Sequence, residues 1–156
     1  EVGRLAEAFG MHVVALKREG VEYQDDVERY PLHRLAEISD IISIHMPLTD
    51  DSQHLVDAEF LRRMKPSAYI INMARGQVVD PDALAHALNK KQIAGAALDV
   101  MEKEPPDADD PLLKAPNCII TPHIAWASIE SRKRLVREIA ENIAAFSRNE
   151  SRNRIV

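Results

Sequence analysis

The chain of 156 residues is about one domain's worth, and its 46% hydrophobic and 29% charged residues are typical of a soluble globular protein. A formal net charge of −5, with basic residues dispersed among acidic ones, argues against nucleic acid as a partner. Apolar runs stop well short of the ~20 residues that cross a bilayer, and the single cysteine, Cys118, cannot form an internal disulfide. We therefore expect a cytoplasmic protein.

Short β-branched runs alternate with stretches of helical spacing, a pattern typical of a parallel sheet flanked by helices. Residues 2–9 come first and are expected to be the end of a helix. Most of the β-branched runs are apolar at successive positions, which predicts strands covered by helices on both faces. The predicted strands are residues 12–17, 41–45, 68–73, 94–100 and 118–121.

Helix start signals separate these strands. Asp57 is a predicted N-cap for a helix over residues 58–64, and Asp80 with Pro81 gives a cap and a first-turn proline for residues 82–90. From Ser128 onward, apolar residues recur mostly at three- and four-residue spacing, which predicts a long amphipathic helix. The prolines after Glu104 predict a loop.

A candidate ligand-binding arginine follows the third predicted strand. Residues 70–76 end an apolar run with Arg75 and then Gly76. The carboxyl ends of parallel strands form the edge at which ligands bind, and a guanidinium there can hold a carboxylate through two parallel hydrogen bonds. The competing interpretation is a surface arginine at a strand exit.

An acid and a histidine follow the next two predicted strands. Asp99 and Glu104 come at the end of the fourth strand and just after it, and His123 follows the fifth. A carboxylate beside His123 would stabilise its imidazolium and orient the ring for proton transfer near neutral pH. Taken singly, Glu104 could be a solvated loop acid and His123 a structural histidine. Together with Arg75 they predict one catalytic crevice.

Three segments carry a family resemblance: Asn-Met-Ala-Arg-Gly at 72–76, Leu-Asp-Val-Met-Glu-Lys-Glu-Pro at 98–105 and Thr-Pro-His-Ile-Ala-Trp-Ala-Ser at 121–128. In this order and spacing they resemble the D-isomer-specific 2-hydroxyacid dehydrogenases, which include glyoxylate, glycerate and hydroxypyruvate reductases. The resemblance covers nearly the whole chain. It implies a Rossmann-like doubly wound parallel sheet and hydride transfer between NAD(P)H and a small 2-oxo or 2-hydroxy acid.

The resemblance also implies roles for individual residues. Arg75 would bind the carboxylate and carbonyl oxygen of the 2-oxo acid, His123 would be the general acid and base, and Glu104 would pair with it. Asp99 would contact the nicotinamide carboxamide. Backbone or apolar contacts to the cofactor would come from Met46, Pro47, Met73, Ala74 and Ala125.

The sequence departs from the family at its beginning, because the family's Gly-x-Gly-x-x-Gly loop, which approaches the pyrophosphate, does not occur. We expect a fragment that lacks the first strand, this loop and most of the substrate domain, and that binds dinucleotide weakly on its own. Residues 1–126 would be a truncated dinucleotide-binding domain. Residues 127–156 would be a helix and tail returning towards the substrate domain.

The cofactor expectation depends on Lys17 and Arg18, at the end of the first predicted strand. NAD-specific members have an acid there that hydrogen-bonds the adenine ribose. Because two cations would instead attract a 2′-phosphate, the sequence favours NADP over NAD. The competing interpretation is a pair of solvated loop cations.

Other functions fit the sequence less well. No Gly-x-Ser-x-Gly nucleophile segment occurs, and the six histidines are too dispersed for a metal site. Two alternatives stay open: a non-enzymatic, dinucleotide-sensing relative that binds another protein, as corepressors resembling this family do, and an inactive fragment. The resemblance further implies a homodimer that takes a small 2-oxo acid as substrate, while the charge and the short apolar runs argue against nucleic acid or a membrane as partner.

Overall fold

The computed structural model describes residues 1–18 and 20–154, and the chain divides into two compact units. The first unit is Glu1–Ile120, and the second begins at Thr121. The first unit contains, in chain order, α1 (Val2–Ala8), β1 (Val14–Leu16), β2 (Glu28–Tyr30), α2 (Leu32–Ile38), β3 (Ile41–Ile44), α3 (Ala58–Arg63), β4 (Tyr69–Asn72), α4 (Pro81–Asn89), β5 (Gly95–Leu98) and β6 (Cys118–Ile120).

The strand pairs of the first unit are parallel, as the sequence predicts. Strands β3, β4, β5 and β6 are neighbours in this order in one sheet, and β1 pairs with β2 in a separate sheet. In the larger sheet Ile44, Asn72 and Leu98 lie side by side in register. The carboxyl ends of these strands therefore meet at one edge, where open parallel sheets bind ligands.

One face of the larger sheet is the main hydrophobic core of the first unit. Alternate residues of β3 and β4 are buried, because successive side chains of a strand point to opposite faces. Fully burying one such aliphatic side chain contributes about 1.5–3 kcal/mol. The core joins sheet residues to α3 and α4 through Ile42, Ile44, Ile70, Ala96 and Leu98 on the strands and Phe60, Leu61, Leu84 and Leu88 on the helices.

The predicted helix caps are confirmed. The Asp57 side chain accepts a hydrogen bond from the Phe60 amide at 2.8 Å, and the Asp80 side chain accepts one from the Ala83 amide at 3.0 Å. Pro81 occupies the first turn of α4, where its missing amide hydrogen leaves no hydrogen bond unmade. These local signals set the helix starts between the strands that bear the candidate site.

The opposite face of the larger sheet differs from the prediction that helices cover both faces. Ile41, Tyr69 and Ile119 are 47%, 50% and 67% exposed. The buried side chains of α3 and α4 serve the other face, and α1 contains no buried residue. Apolar composition predicted a buried strand correctly but could not distinguish one covered face from two.

Among the described residues, one strand and one α-helix were not predicted. Strand β2 is only three residues long and contains Glu28 and Arg29, so no apolar run marks it. Helix α2 follows Pro31 and has no side-chain cap hydrogen bond, so the usual start signal is missing. Their boundaries depend on neighbouring structure, as in the pairing of Val14 with Glu28.

The second unit contains the predicted long helix, α5 (Ile129–Ser147). The Ser128 hydroxyl accepts a hydrogen bond from the Ser131 amide at 3.1 Å and caps it. The tail after α5 folds back along the helix, because the Arg152 guanidinium binds Glu138 and Glu141. Among the described residues, no helix combines the length and apolarity needed to cross a bilayer.

Candidate active site

The candidate residues of the first unit follow neighbouring strands of the larger sheet. Because Ile44, Asn72 and Leu98 are in register, the chain leaves β3, β4 and β5 at the same edge. Met46 and Pro47 follow β3 after one intervening residue, Met73 and Ala74 directly follow β4, and Asp99 directly follows β5. The structure therefore brings these predicted cofactor-contacting segments to the edge that the sequence indicated.

The turn that carries Arg75 is fixed by Asn72, a residue with only 1% exposure. The Asn72 side-chain oxygen accepts a hydrogen bond from the Ala74 amide at 3.0 Å, and its nitrogen donates one to the Arg75 carbonyl at 2.9 Å. The Arg75 guanidinium itself is exposed and donates to the Ala74 carbonyl at 2.7 Å. Asn72 was not predicted as a site residue, although a lone amide ending an apolar strand was the available signal.

Gly76 joins the Arg75 turn to the loop that carries Glu104. A Cβ atom added at Gly76 would lie 2.0 Å from both the carbonyl carbon and the carbonyl oxygen of Met101. Only glycine permits this approach, since a side-chain carbon would overlap the neighbouring backbone. The Arg75 turn and the loop after Val100 are therefore in direct backbone contact.

The Glu104 loop is closed by its own acid. The Met101 amide donates a hydrogen bond to a Glu104 carboxylate oxygen at 3.0 Å. Asp99, at the start of the loop, is 6% exposed, and its amide donates to the Asn72 carbonyl at 2.9 Å. The carboxylate of Glu104 thus has a defined place in the loop, while that residue is largely exposed.

His123 belongs to the second unit. Its backbone lies in the left-handed region, with φ of 54°, a conformation that histidine adopts more readily than most residues. The His123 amide donates to the Thr121 carbonyl at 3.0 Å, and its own carbonyl accepts from the Trp126 indole at 3.0 Å. These contacts define the tight turn that presents an exposed imidazole and leads on to Ala125.

The three predicted catalytic residues are divided between the units, with Arg75 and Glu104 in the first and His123 in the second. The contact of their segments through Gly76 concerns only the first two. The convergence of all three side chains on one crevice stays a prediction.

The predicted ribose-phosphate residues follow β1. The Lys17 amide donates to the Tyr30 carbonyl at 2.8 Å, and the Arg18 amide donates to the Tyr23 hydroxyl at 2.8 Å. Both side chains are exposed, so their charges face solvent. The Arg29 guanidinium stacks 3.7 Å above the Tyr23 ring centre and binds Asp25, whose pKa it lowers.

Cys118 is unsuited to nucleophilic catalysis. Burial, with a smaller contribution from Asp110, raises the pKa of its thiol to about 11. A thiol nucleophile must be deprotonated near neutral pH, and this one is not. Among the residues that the structure describes, no cluster of three or more His, Cys, Asp or Glu side chains could hold a metal ion.

Known proteins match this chain over most of its length. The family described as "D-isomer specific 2-hydroxyacid dehydrogenase, NAD binding domain" matches residues 1–125. The chain is 47% identical over 152 residues to a glyoxylate reductase of Korarchaeum cryptofilum. The aligned region covers 96% of this chain and 46% of that protein. The chain thus spans about half the length of the curated relatives it matches.

Solved structures give the same result. The NAD-complexed D-isomer-specific 2-hydroxyacid dehydrogenase of Lactobacillus delbrueckii ssp. bulgaricus matches with a TM-score of 0.89 and 30% identity, over 99% of this chain and 52% of that one. An NADPH-dependent glyoxylate/hydroxypyruvate reductase of Sinorhizobium meliloti matches with a TM-score of 0.79 and 34% identity, over 93% of this chain and 45% of that one. The fold is therefore Rossmann-like, as predicted.

Proposed function

Because the chain belongs to the family of NAD-binding domains of D-isomer-specific 2-hydroxyacid dehydrogenases, we propose that it serves hydride transfer between NAD(P)H and a small 2-oxo acid such as hydroxypyruvate or glyoxylate. The observation that best supports the proposal is the backbone contact of Gly76 with Met101. It holds the turn bearing Arg75 against the loop bearing Glu104 at the ligand-binding edge of the sheet.

Each catalytic residue has a separate task in this proposal. Arg75 binds the carboxylate and the carbonyl oxygen of the 2-oxo acid, for which its planar fork of donors is suited. A reduced nicotinamide, when bound at this edge, would supply the hydride to carbon 2. His123 donates a proton to the carbonyl oxygen, and Glu104 keeps the imidazolium charged and oriented. In the reverse reaction, neutral His123 accepts the hydroxyl proton.

The residues at the sheet edge fit the nicotinamide end of a dinucleotide. Met73, just after β4, is 45% exposed and offers an apolar surface to a ring. Asp99, beside it after β5, provides a carboxylate that can accept hydrogen bonds from a carboxamide. The proposed lining is completed by Met46, Pro47, Ala74 and Ala125.

We further propose that the cofactor is NADP rather than NAD, because the exposed Lys17 and Arg18 would attract a 2′-phosphate. In an enzyme completed with the amino-terminal half of a relative, replacing both by glutamate should lower the ratio of kcat/KM for NADPH to kcat/KM for NADH by about tenfold or more. The matched control replaces Lys90 and Lys91 by glutamate, which changes the charge equally at the end of α4. An unchanged ratio in the Lys17 and Arg18 variant would rule out this assignment.

The activity is tested by joining the chain to the amino-terminal half of the Korarchaeum cryptofilum glyoxylate reductase, of which the chain matches about half. Oxidation of NADPH and NADH is followed spectroscopically with hydroxypyruvate and glyoxylate, and the intact archaeal reductase is the positive control. We expect turnover in this completed enzyme. Cofactor binding without turnover on any small 2-oxo acid would instead support a non-enzymatic dinucleotide sensor.

We also propose that residues 1–126 serve as the dinucleotide-binding domain and that residues 127–156 lead back towards a substrate-binding domain. The working protein would be a cytoplasmic homodimer, with no role for nucleic acid or a membrane. Sedimentation of the completed enzyme tests the homodimer directly, and a monomer mass at concentrations that support full activity would refute it.

A further inference from the structure

We propose that His54 and Gln77 are positioning residues that hold the Glu104 loop in place through Glu102, an inference that rests on the proposed function. The imidazole Nε2 of His54 lies 3.2 Å from a carboxylate oxygen of Glu102. The side-chain amide of Gln77 donates to the Glu102 backbone carbonyl at 3.0 Å. Glu102 is thus held at its side chain and at its backbone, by residues 48 and 25 positions away in the sequence.

His54 and Gln77 are joined to each other by a short ladder of backbone hydrogen bonds. The His54 amide donates to the Gln77 carbonyl at 2.8 Å, and the Val56 amide donates to the Val78 carbonyl at 3.0 Å. Val56 also forms a parallel bridge with Val79, and these two valines are buried. Because this ladder continues directly from Gly76, it belongs to the same piece of backbone that carries Arg75.

The backbone of His54 has a positive φ of 50°. A non-glycine residue adopts this conformation at a cost and keeps it only where its surroundings enforce it. The conformation, together with the amide bond to Gln77, places the imidazole at the Glu102 carboxylate. A carboxylate can only accept, so the Nε2 atom donates in this contact.

The connection from Glu102 to the catalytic acid is short. The Glu104 carboxylate accepts a hydrogen bond from the Met101 amide and so closes the loop. Met101 and Glu104, which lie on either side of Glu102 in the sequence, are thus joined to each other. A shift of Glu102 would therefore move the Glu104 carboxylate relative to Arg75. A displacement of about 1 Å in a catalytic geometry can lower the rate by about 100-fold. We therefore expect the contacts of His54 and Gln77 with Glu102 to affect the reaction rate more than the stability of the fold.

Partial exposure of the pair separates this role from simple stabilisation. The side chains of His54 and Glu102 are each 37% exposed, and exposed ion pairs contribute little to folding. The same loop offers a matched control, since Lys103 pairs with Asp107 at 2.6 Å entirely within the loop and its neighbouring residues. Loss of the Lys103 contact removes a charge pair without releasing the loop from the Arg75 segment.

The first test uses the chain itself and follows hydrogen exchange of the Met101 amide by NMR. His54→Ala and Glu102→Ala should each raise the exchange rate of this amide several-fold. Lys103→Ala should leave the rate unchanged. His54→Gln should keep most of the protection, because a glutamine side chain can still donate a hydrogen bond to Glu102. Gln77→Ala is a second route to the same release. Equal exchange in His54→Ala and Lys103→Ala would overturn the proposal.

The second test uses the completed enzyme. His54→Ala should lower kcat at least tenfold and leave the KM for the reduced cofactor unchanged, while Lys103→Ala leaves both unchanged. Absence of turnover in the unmutated enzyme would count against the proposed function, whereas full activity of His54→Ala in an active enzyme would overturn the positioning role alone. Whether or not the enzyme turns over, the exchange rate of the Met101 amide tests whether His54 holds Glu102 in place.

Discussion

Asn72 is the residue on which the geometry of the Arg75 turn depends most. It is buried, and its single amide group satisfies one backbone donor and one backbone acceptor of the turn. A buried polar group of this kind specifies a conformation, because losing it leaves its backbone partners without hydrogen bonds. Arg75 therefore owes its position to a neighbour that touches no substrate in the proposed mechanism.

Replacing Asn72 by alanine should destabilise the chain by about 2–3 kcal/mol, because the Ala74 amide and the Arg75 carbonyl both lose their partner in a partly buried place. Urea unfolding of the purified chain measures the change. The control is Asn89→Ala, since Asn89 is exposed and its side chain makes one hydrogen bond, to the Ala85 carbonyl. We expect a change of about 1 kcal/mol or less there, and equal losses in the two variants would contradict the account.

Gly76→Ala should also destabilise the chain, by about 1–3 kcal/mol, because the new methyl group would overlap the Met101 backbone and force the two segments apart. Urea unfolding measures the loss, and cross-peaks between residues 76 and 101 in NMR spectra measure the separation. Gly3→Ala is the control, since the added carbon would meet only a Val13 methyl at 3.3 Å. Unaltered stability and contacts in Gly76→Ala would show that the close approach is wrong.

At the scale of elements, the sequence predicted what local chemistry determines. The caps Asp57, Asp80 and Ser128 each act on the amide three residues away, so their helix starts were correct to within one residue. Strand β2 was missed because its three residues take their conformation from pairing with β1. The exposed face of the larger sheet was missed for a related reason, since coverage by a helix depends on distant parts of the chain.

The candidate site was predictable to the same extent. Strand ends gave the positions of Arg75, Asp99 and Glu104, because parallel strands share a carboxyl edge. The residues that support them were not foreseen. Asn72 and His54 act through contacts with turns and loops whose geometry appears only in the folded chain.

The tail after α5 offers a prediction of its own. Its Arg152 guanidinium binds the Glu138 carboxylate of the helix at 2.7 Å. That hydrogen bond lowers the pKa of Glu138, so the carboxylate stays charged as pH falls through its ordinary range and the contact is lost only below it. In Arg152→Ala, the NMR titration midpoint of Glu138 should rise towards the usual glutamate value of about 4.3. Amide exchange in residues 148–153 should also become faster.

Arg148→Ala is the control for this tail contact, because Arg148 pairs with Glu150 at 2.7 Å and not with Glu138. We expect it to leave the Glu138 midpoint where it was. A Glu138 midpoint that is the same in the unmutated chain and in Arg152→Ala would show that the tail is not held in this way.

At the scale of the whole molecule, the chain is a Rossmann-like unit followed by a helical one, and it spans about half the length of its curated relatives. The first unit supplies Arg75 and Glu104, and the second supplies His123. The proposed chemistry requires that Glu104 and His123 act as one acid–base pair. Residues that act as a unit have strongly non-additive effects when they are replaced, and residues at independent sites do not.

The most direct test of this account is a double-mutant cycle on kcat/KM of the completed enzyme, with Glu104→Gln and His123→Asn made singly and together. If Glu104 works through His123, the double variant should be about as active as His123→Asn alone, since an acid with no imidazole to hold has nothing left to contribute. If the two losses instead multiply in the double variant, the residues act independently, and the shared catalytic crevice is wrong.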